Sequence, residues 1–304
     1  MKLININNNE IYDFADNIKN GKLIVIPTET VYGLAANALD ENAIKLIFKV
    51  KGRPQDNPLI IHTYSKENIY KFSKNQPKYI DKIIDKFMPG PLTLVLEKQD
   101  IIPNIVTAGL KTVGIRIPNH SDTLKFLKIV DLPLAAPSAN KSGKPSPTKV
   151  EHIFNDYQNQ DEIYGIINGG ECNVGIESTI IKCEEEKIII LRPGIINKSM
   201  IQEIVDVNVI DYNGNEILAP GMKYKHYSPD ILVFITKEIN INPQILNLSY
   251  NGKIENTFSF NEKNIYSIFR EVDKNFNSIN IVLTKELTEN KALYNRILKA
   301  SEKS

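Results

Sequence analysis

The segment KGRPQDNPLIIH, residues 51–62, places a cation on each side of a glycine. Lys51 offers a point charge and Arg53 offers a planar fork of donors, a combination that suits the oxygens of phosphate groups. Gly52 lets the backbone approach a ligand closely, and Asn57 and His62 follow shortly afterwards. A solvated surface loop has the same composition, so this segment alone leaves both interpretations open.

Two loops carry hydroxyl and amide groups directly after strand-like segments. PTETVYG, residues 27–33, follows KLIVI, and APSANKSGKPSPT, residues 136–148, follows LPLA. Open α/β sheets bind ligands beyond the carboxyl ends of their strands, so these loops are candidates for a site. The side chains concerned are Thr30, Ser138, Asn140 and Ser146. The alternative is a pair of ordinary polar loops.

Arg116 lies inside the strand-like segment VGIRIP. Charged side chains are rarely fully buried unless they are paired. An arginine at this position therefore requires an anion, either a protein carboxylate or the carboxylate of a ligand, and the sequence favours neither. GIESTII and ILRPG place Ser178 and Arg192 near the ends of two further strands.

Several common catalytic signatures are absent from the sequence. It has no GxxxxGK[ST] P-loop, no GxGxxG after a strand and no HExxH, and no Ser–His–Asp triad can be identified. What remains is a set of cations, hydroxyls and glycines that suits a polyphosphate and a small carboxylate bound side by side. Such a site acts by positioning and charge stabilisation, with little covalent chemistry from the protein.

These residues are distributed over alternating strand-like and helix-like segments, which predict an α/β fold. Asp40 is a candidate N-cap for the second helix. Apolar residues at helical spacing predict helices around 11–18, 44–48, 80–87 and 121–130. The predicted strands are KLIVIP, PLIIH, LTLVLEK, VGIRIP, LPLAAP, GIING, STIIKC and KIIILRP. The last two have hairpin spacing, so we expect a mixed sheet rather than a purely parallel one.

The length of 304 residues predicts more than one domain, since a typical domain has roughly 100–200 residues. The periodic pattern breaks over 206–230, which holds Asn-Gly, Pro-Gly and Ser-Pro and reads as a linker. We therefore expect a first domain over 1–205 and a small Rossmann-like domain over 231–304. Within the latter, 237–260 is rich in Asn and shows little pattern.

The composition is that of an ordinary soluble globular protein, with 42% hydrophobic and 24% charged residues. A net charge of +1 provides no overall basic field for nucleic acid. The two cysteines, Cys172 and Cys183, lack the spacing of a zinc site, and a disulfide scaffold is not expected at this size. No signal peptide or membrane-spanning run is seen, so the expected location is the cytoplasm.

Taken together, PTETVYGL, the KGR triplet, SAN at 138–140 and GIESTII resemble the YrdC/Sua5 family of L-threonylcarbamoyladenylate synthases over roughly residues 8–205. The linker APGMKYKHYSP and the small domain are similar to the longer Sua5 branch. The resemblance implies a YrdC-like catalytic domain with a twisted mixed sheet and a concave basic face. It also implies that the linker is an active-site lid and that the C-terminal domain is of the Sua5 type.

The resemblance further implies an activity and a set of ligands. Such enzymes combine ATP, L-threonine and bicarbonate into threonylcarbamoyl-AMP and pyrophosphate, and Mg²⁺ accompanies the ATP. The product supplies the t6A modification at position 37 of tRNA, through a separate transfer complex. Transient contact with tRNA or with that complex is therefore expected.

Site residues carry over position by position from the resemblance. The phosphate-holding and catalytic positions are Lys51, Arg53, Ser138 and Asn140. The ATP-binding positions are Arg53, Asn57, Thr112, Ser138, Ser146, Arg192 and Tyr224. The L-threonine-binding positions are Thr30, His62, Arg116, Ala136 and Ser178.

Two alternative functions remain at this point. A concave basic face could hold double-stranded RNA through its phosphates without catalysis, although the net charge of +1 argues against this. A YrdC-like enzyme could also carbamoyl-adenylate a different acceptor, although the Sua5-type linker argues against that.

Overall fold

The computed structural model describes residues 1–6, 9–158, 160–222, 226–272 and 275–301. Its larger sheet has twelve strands among these residues. They are β1 (Lys2–Ile4), β2 (Leu23–Ile26), β3 (Gly33–Asn37), β4 (Ile60–His62), β5 (Ser73–Lys74), β6 (Leu92–Lys98), β7 (Thr112–Arg116), β8 (Leu134–Ala135), β9 (Ile163–Ile167), β10 (Thr179–Cys183), β11 (Lys187–Arg192) and β12 (Asn208–Asp211).

The helices of the first domain pack their apolar faces against this sheet. The helices of this domain are α1 (Glu10–Lys19), α2 (Glu41–Lys51), α3 (Lys66–Phe72), α4 (Ile80–Phe87), α5 (Asn104–Thr107), α6 (Ser121–Val130), α7 (Val150–Asp156) and α8 (Lys198–Gln202). The four helices predicted from apolar spacing are confirmed. Asp40 caps α2 as predicted, because its carboxylate accepts hydrogen bonds from the backbone N–H groups of Asn42 and Ala43.

The strand order is β1-β9-β2-β3-β8-β4-β7-β6-β10-β11-β12, with β5 paired to β6. Parallel pairs (β4 with β7, β6 with β10) alternate with antiparallel ones (β6 with β7, β10 with β11), so the sheet is mixed as predicted. The hairpin predicted around Glu184–Glu186 is the β10–β11 pair. The predicted linker, 206–230, begins with a strand of this sheet, because β12 pairs in parallel with β11.

The small domain contains a second sheet, in the order β13-β16-β14-β15. All three pairings are parallel, which agrees with the predicted Rossmann-like unit. Its elements are β13 (Leu232–Thr236), β14 (Ile245–Tyr250), β15 (Phe258–Phe260), α9 (Ile265–Glu271), β16 (Ser278–Val282), α10 (Lys285–Glu289) and α11 (Lys291–Ser301). The segment 237–260, which showed little pattern, contains the two strands β14 and β15.

The two domains share an apolar contact. The core of the small domain includes Val31 and Ile176, which belong to the first domain, together with Tyr227 of the linker. The small domain is therefore packed directly behind two of the loops predicted to carry site residues. None of the helices in the described part of the chain has both the length and the apolar character needed to cross a bilayer.

Candidate active site

A cleft that is partly open to solvent lies between the large sheet, the linker and the loops around it. We call it the central cleft. The predicted site residues that line it are Thr30, Lys51, Arg53, His62, Arg116, Ala136, Ser138, Asn140, Ser146, Ser178 and Arg192.

The two polar loops meet on one side of the central cleft. Strands β2 and β8 both run antiparallel to β3, so they end at the same edge of the sheet. Gly33 forms a bridge with Ser138, and the N–H of Ala139 donates to the carbonyl of Tyr32 at 2.7 Å. A side chain at Gly33 would crowd the methyl group of Ala136, since an added Cβ would lie 3.2 Å from it.

Lys51 is the last residue of α2, and Gly52 ends the helix in the left-handed conformation with φ 62°. The Lys51 side chain points into the loop that carries Ser138 and Asn140, where its ammonium donates to both backbone carbonyls at 2.5 Å. Burial lowers the pKa of Lys51 well below its usual value, and the charge of Arg53 lowers it further. An anion beside this ammonium would stabilise its charged form.

Arg53 is held at the entrance to β4. Its guanidinium donates to the backbone carbonyls of Asn57 at 3.3 Å and Pro58 at 3.0 Å. The Oδ1 atom of Asn57 is buried and has no hydrogen-bond partner among the described residues. Thr112 begins β7, where it pairs with Glu97 of β6. Neither Asn57 nor Thr112 is among the residues that line the cleft.

The anion beside Arg116 is a protein carboxylate, which is one of the two alternatives that the sequence left open. Its Nη2 atom lies 2.7 Å from Oε2 of Glu29, and both side chains are buried. Its Nη1 atom donates to the hydroxyl of Thr30 at 3.0 Å. Glu29 lies in the PTETVYG motif, but its role as the counterion of Arg116 was not predicted.

His62 lies beside Arg116, because the two residues are paired across β4 and β7. Burial and then the charge of Arg116 lower the pKa of His62 to about 3, so its imidazole is neutral. Its Nδ1 atom is buried without a hydrogen-bond partner among the described residues. Buried polar atoms in native proteins are normally hydrogen-bonded, so this nitrogen is available to a polar group of a ligand in the cleft.

Ser178 and Arg192 form another part of the wall of the central cleft, which we call the Ser178–Arg192 corner. The Arg192 guanidinium donates to the backbone carbonyl of Ser178 at 3.1 Å and to its hydroxyl at 3.2 Å. Ser146 lies nearby and donates to Oε1 of Glu177 at 2.5 Å. Glu177 lines the cleft although its role was not predicted; the GIESTII motif contained it without indicating a partner.

The linker covers one side of the cleft. Ala219 is buried in a small apolar cluster with Ile60 and Leu191. His226 and Tyr227 line the cleft. The predicted nucleotide-covering residue, Tyr224, lies outside the described residues.

The comparisons with known proteins agree with this arrangement. Residues 16–194 match the family model Sua5/YciO/YrdC, which carries the description "Telomere recombination". The chain belongs to this family. Residues 196–302 match a second model, described as "Threonylcarbamoyl-AMP synthase, C-terminal domain". The predicted family and fold class are therefore confirmed.

Individual Sua5 relatives are similar over much of the chain. A threonylcarbamoyl-AMP synthase of Pyrococcus abyssi is 46% identical over 225 residues, which are 72% of this chain and 66% of the relative. The corresponding protein of Bacillus subtilis is 42% identical over 232 residues, or 74% of this chain and 66% of the relative. The alignments thus span slightly less than two thirds of the length of these relatives.

A solved structure of the same family is similar over almost the whole chain. The crystal structure of P. abyssi Sua5 complexed with L-threonine superposes with a TM-score of 0.87 and 35% identity. The superposition covers 99% of this chain and 98% of that one. The first domain and the small domain are therefore arranged as in the Sua5 branch.

Proposed function

We propose that this chain is an L-threonylcarbamoyladenylate synthase, which makes threonylcarbamoyl-AMP and pyrophosphate from ATP, L-threonine and bicarbonate. One observation carries the proposal. The central cleft holds two different environments: the buried Lys51 ammonium, whose hydrogen bonds among the described residues go to backbone carbonyls, and Arg116 with Thr30. A polyphosphate fits the first environment, and a small polar amino acid fits the second.

The nucleotide end is assigned to the residues around Lys51. Arg53 and Arg192 add positive charge, and their described hydrogen bonds go to backbone carbonyls or to a serine hydroxyl. These acceptors orient the two guanidinium groups, both of which line the cleft. Ser138 and Asn140 add polar groups beside Lys51, and the Ser138 hydroxyl donates to Oδ1 of Asn140 at 2.6 Å.

The threonine end is assigned to the pocket around Arg116. Glu29 and Thr30 fix the orientation of its guanidinium, and His62 offers an unpartnered, neutral imidazole nitrogen. L-Threonine is bound in the structure of the P. abyssi relative, which supports this assignment. Ala136 and Ser178 are assigned to the walls of this pocket.

The proposed reaction has two steps. The amine of threonine forms a C–N bond with CO₂ derived from bicarbonate, giving N-carboxy-threonine. A carboxylate oxygen of that intermediate then attacks the α-phosphorus of ATP, and the bond from this phosphorus to the β-phosphate oxygen breaks, releasing pyrophosphate. Negative charge builds up along the phosphates during the second step, where Lys51, Arg53 and Arg192 would stabilise it.

Mg²⁺ remains part of the proposal only as a companion of ATP. Among the described residues, no group of three or more His, Cys, Asp or Glu side chains could hold a metal ion. Glu177, which lines the cleft, and Glu29, which pairs with Arg116, are each paired with an arginine. Mg²⁺ would therefore be bound by the phosphate oxygens of ATP and enter the cleft together with the nucleotide, as it commonly does.

We further propose that the linker acts as a lid and that the product serves t6A formation on tRNA. Ala219 packs against the sheet next to the cleft, so movement of the linker would open the site to solvent. A closed lid excludes the water that would hydrolyse an adenylate.

The test is a pyrophosphate-release assay from which each substrate is omitted in turn. We expect release only when ATP, threonine and bicarbonate are all present. Release without threonine or without bicarbonate would contradict the proposed chemistry. Tight binding of double-stranded RNA with steep salt dependence, together with no turnover, would instead favour the RNA-binding alternative.

A further inference from the structure

The last helix of the small domain inserts an arginine behind the central cleft. Arg296 of α11 is fully buried, with 0% exposure. Its Nε atom lies 3.1 Å from Oε2 of Glu177, and its Nη2 atom donates to the backbone carbonyl of Glu177 at 3.2 Å. Its Nη1 atom donates to the carbonyl of Pro193 at 2.5 Å.

These contacts hold the two chain segments that form the Ser178–Arg192 corner. Glu177 directly precedes Ser178, and Pro193 directly follows Arg192. A single guanidinium from the small domain therefore joins the start of β10 to the end of β11 from the side away from the cleft.

Charge balance gives this arrangement a second consequence. Burial disfavours the charge of Glu177, yet Arg296 and then Arg192 lower its pKa overall, so it is a buried carboxylate with two arginines acting on it. Among the described residues only Arg296 forms an ion pair with it. Tyr266 of α9 donates to the same Oε2 atom at 2.9 Å. Without Arg296, Arg192 would be the remaining one of the two arginines whose charges act on Glu177.

We propose that Arg296 is a positioning residue: it keeps Glu177 from pairing with Arg192 and so leaves Arg192 free to bind the phosphates of the nucleotide. The small domain would then control nucleotide affinity without touching the nucleotide. This inference rests on the proposed function, since it assumes that ATP binds at the Lys51 end of the cleft. Threonine binding should depend mainly on the Arg116 end of the cleft, where Arg116 and Thr30 have no described contact with Arg296.

The experiment compares affinities for a non-hydrolysable ATP analogue and for L-threonine by titration calorimetry. In Arg296→Met, analogue affinity should fall roughly 10- to 100-fold, the equivalent of one hydrogen bond to a charged group. Threonine affinity should fall much less than analogue affinity, because Arg116 and Thr30 have no described contact with Arg296 and Ser178 is the one assigned threonine-pocket residue that lies next to Glu177. In the double variant Arg296→Met/Glu177→Gln, analogue affinity should recover, because no carboxylate remains to capture Arg192.

A matched control lies on the same helix. Lys291 forms an ion pair with Asp211 of β12 at 2.8 Å, which also joins the two domains but is exposed. Lys291→Met should change neither affinity by more than about twofold, because exposed ion pairs contribute little.

Several outcomes would overturn the inference. One is unchanged analogue affinity in Arg296→Met, and another is an equal loss of both affinities, which would indicate a purely structural role. A double variant that binds the analogue no better than the single variant would also overturn it. If Arg296→Met does not fold, Tyr266→Phe decides: it should weaken analogue binding roughly tenfold, the loss of one hydrogen bond to a charged group, and no change would refute the idea. If the wild-type chain itself binds no analogue, the proposed function fails along with the inference.

Discussion

The most informative single substitution is Lys51→Met, which removes the buried positive charge and keeps much of the side-chain volume. Lys51 donates to two neutral carbonyl oxygens at 2.5 Å, so its charge is not cancelled by a bound carboxylate. A unit charge about 4 Å from a phosphate oxygen contributes about 4 kcal/mol at an effective dielectric constant near 20. Loss of that interaction corresponds to about a 10³-fold lower rate.

The assay is pyrophosphate release with ATP, threonine and bicarbonate, and circular dichroism confirms that the variant is folded. The control is Lys141→Met. Lys141 donates to the backbone carbonyl of Val50 at 2.7 Å and lies over the ring of Tyr157, so it is a cation near Lys51 but does not line the cleft. We expect the control to lose less than about threefold, as is usual for a change away from reacting groups. A folded Lys51→Met protein that keeps its rate within threefold, or a control that loses as much, would refute the assigned role.

Three further predictions follow from the same contacts. Burial holds the pKa of Lys51 well below 10.5 in the free protein, and a bound phosphate would raise it. At pH values between the Lys51 pKa of the free protein and that of the ATP complex, binding of ATP should therefore take up a proton. The affinity for ATP should fall as the pH rises through this range. Calorimetry in two buffers of different ionisation enthalpy checks this, and uptake that persists in Lys51→Met would disprove it. Ala219→Asp should raise KM for ATP roughly tenfold by placing a charge in the apolar linker contact, and an unchanged KM would contradict the lid. Asp40→Ala should lower the free energy of unfolding by about 1 kcal/mol through loss of the α2 cap, measured by urea denaturation; no change would mean that the cap contributes nothing.

Helices with a clear apolar repeat could be predicted from the sequence. The repeat shows both that the segment is helical and which of its faces packs against the sheet. The segment 121–130 is α6 at the predicted boundaries. Strands β14 and β15 escaped prediction because their segment is rich in Asn, and it is parallel pairing within the small sheet that stabilises them. Strand β12 was assigned to the linker because its pattern is short and half exposed.

The residues of the candidate site were also predictable only in part. Short motifs indicated which segments carry chemistry, since glycines, cations and hydroxyls after strands leave a local signal. Ion pairs between residues that are far apart in the chain leave no such local signal. Arg116 needed an anion, but only the fold shows that Glu29, 87 positions earlier in the chain, supplies it. Likewise nothing in the sequence joins Glu177 to Arg296 across 119 positions.

The most direct test of the central proposal is one incubation of the protein with ATP, ¹³C-bicarbonate and a panel of amino acids, followed by mass spectrometry. We expect a nucleotide product that carries the labelled carbon, appears with threonine and is accompanied by an equal amount of pyrophosphate. A labelled adenylate formed equally well without any amino acid, or no labelled adenylate with threonine while ATP is consumed, would contradict it.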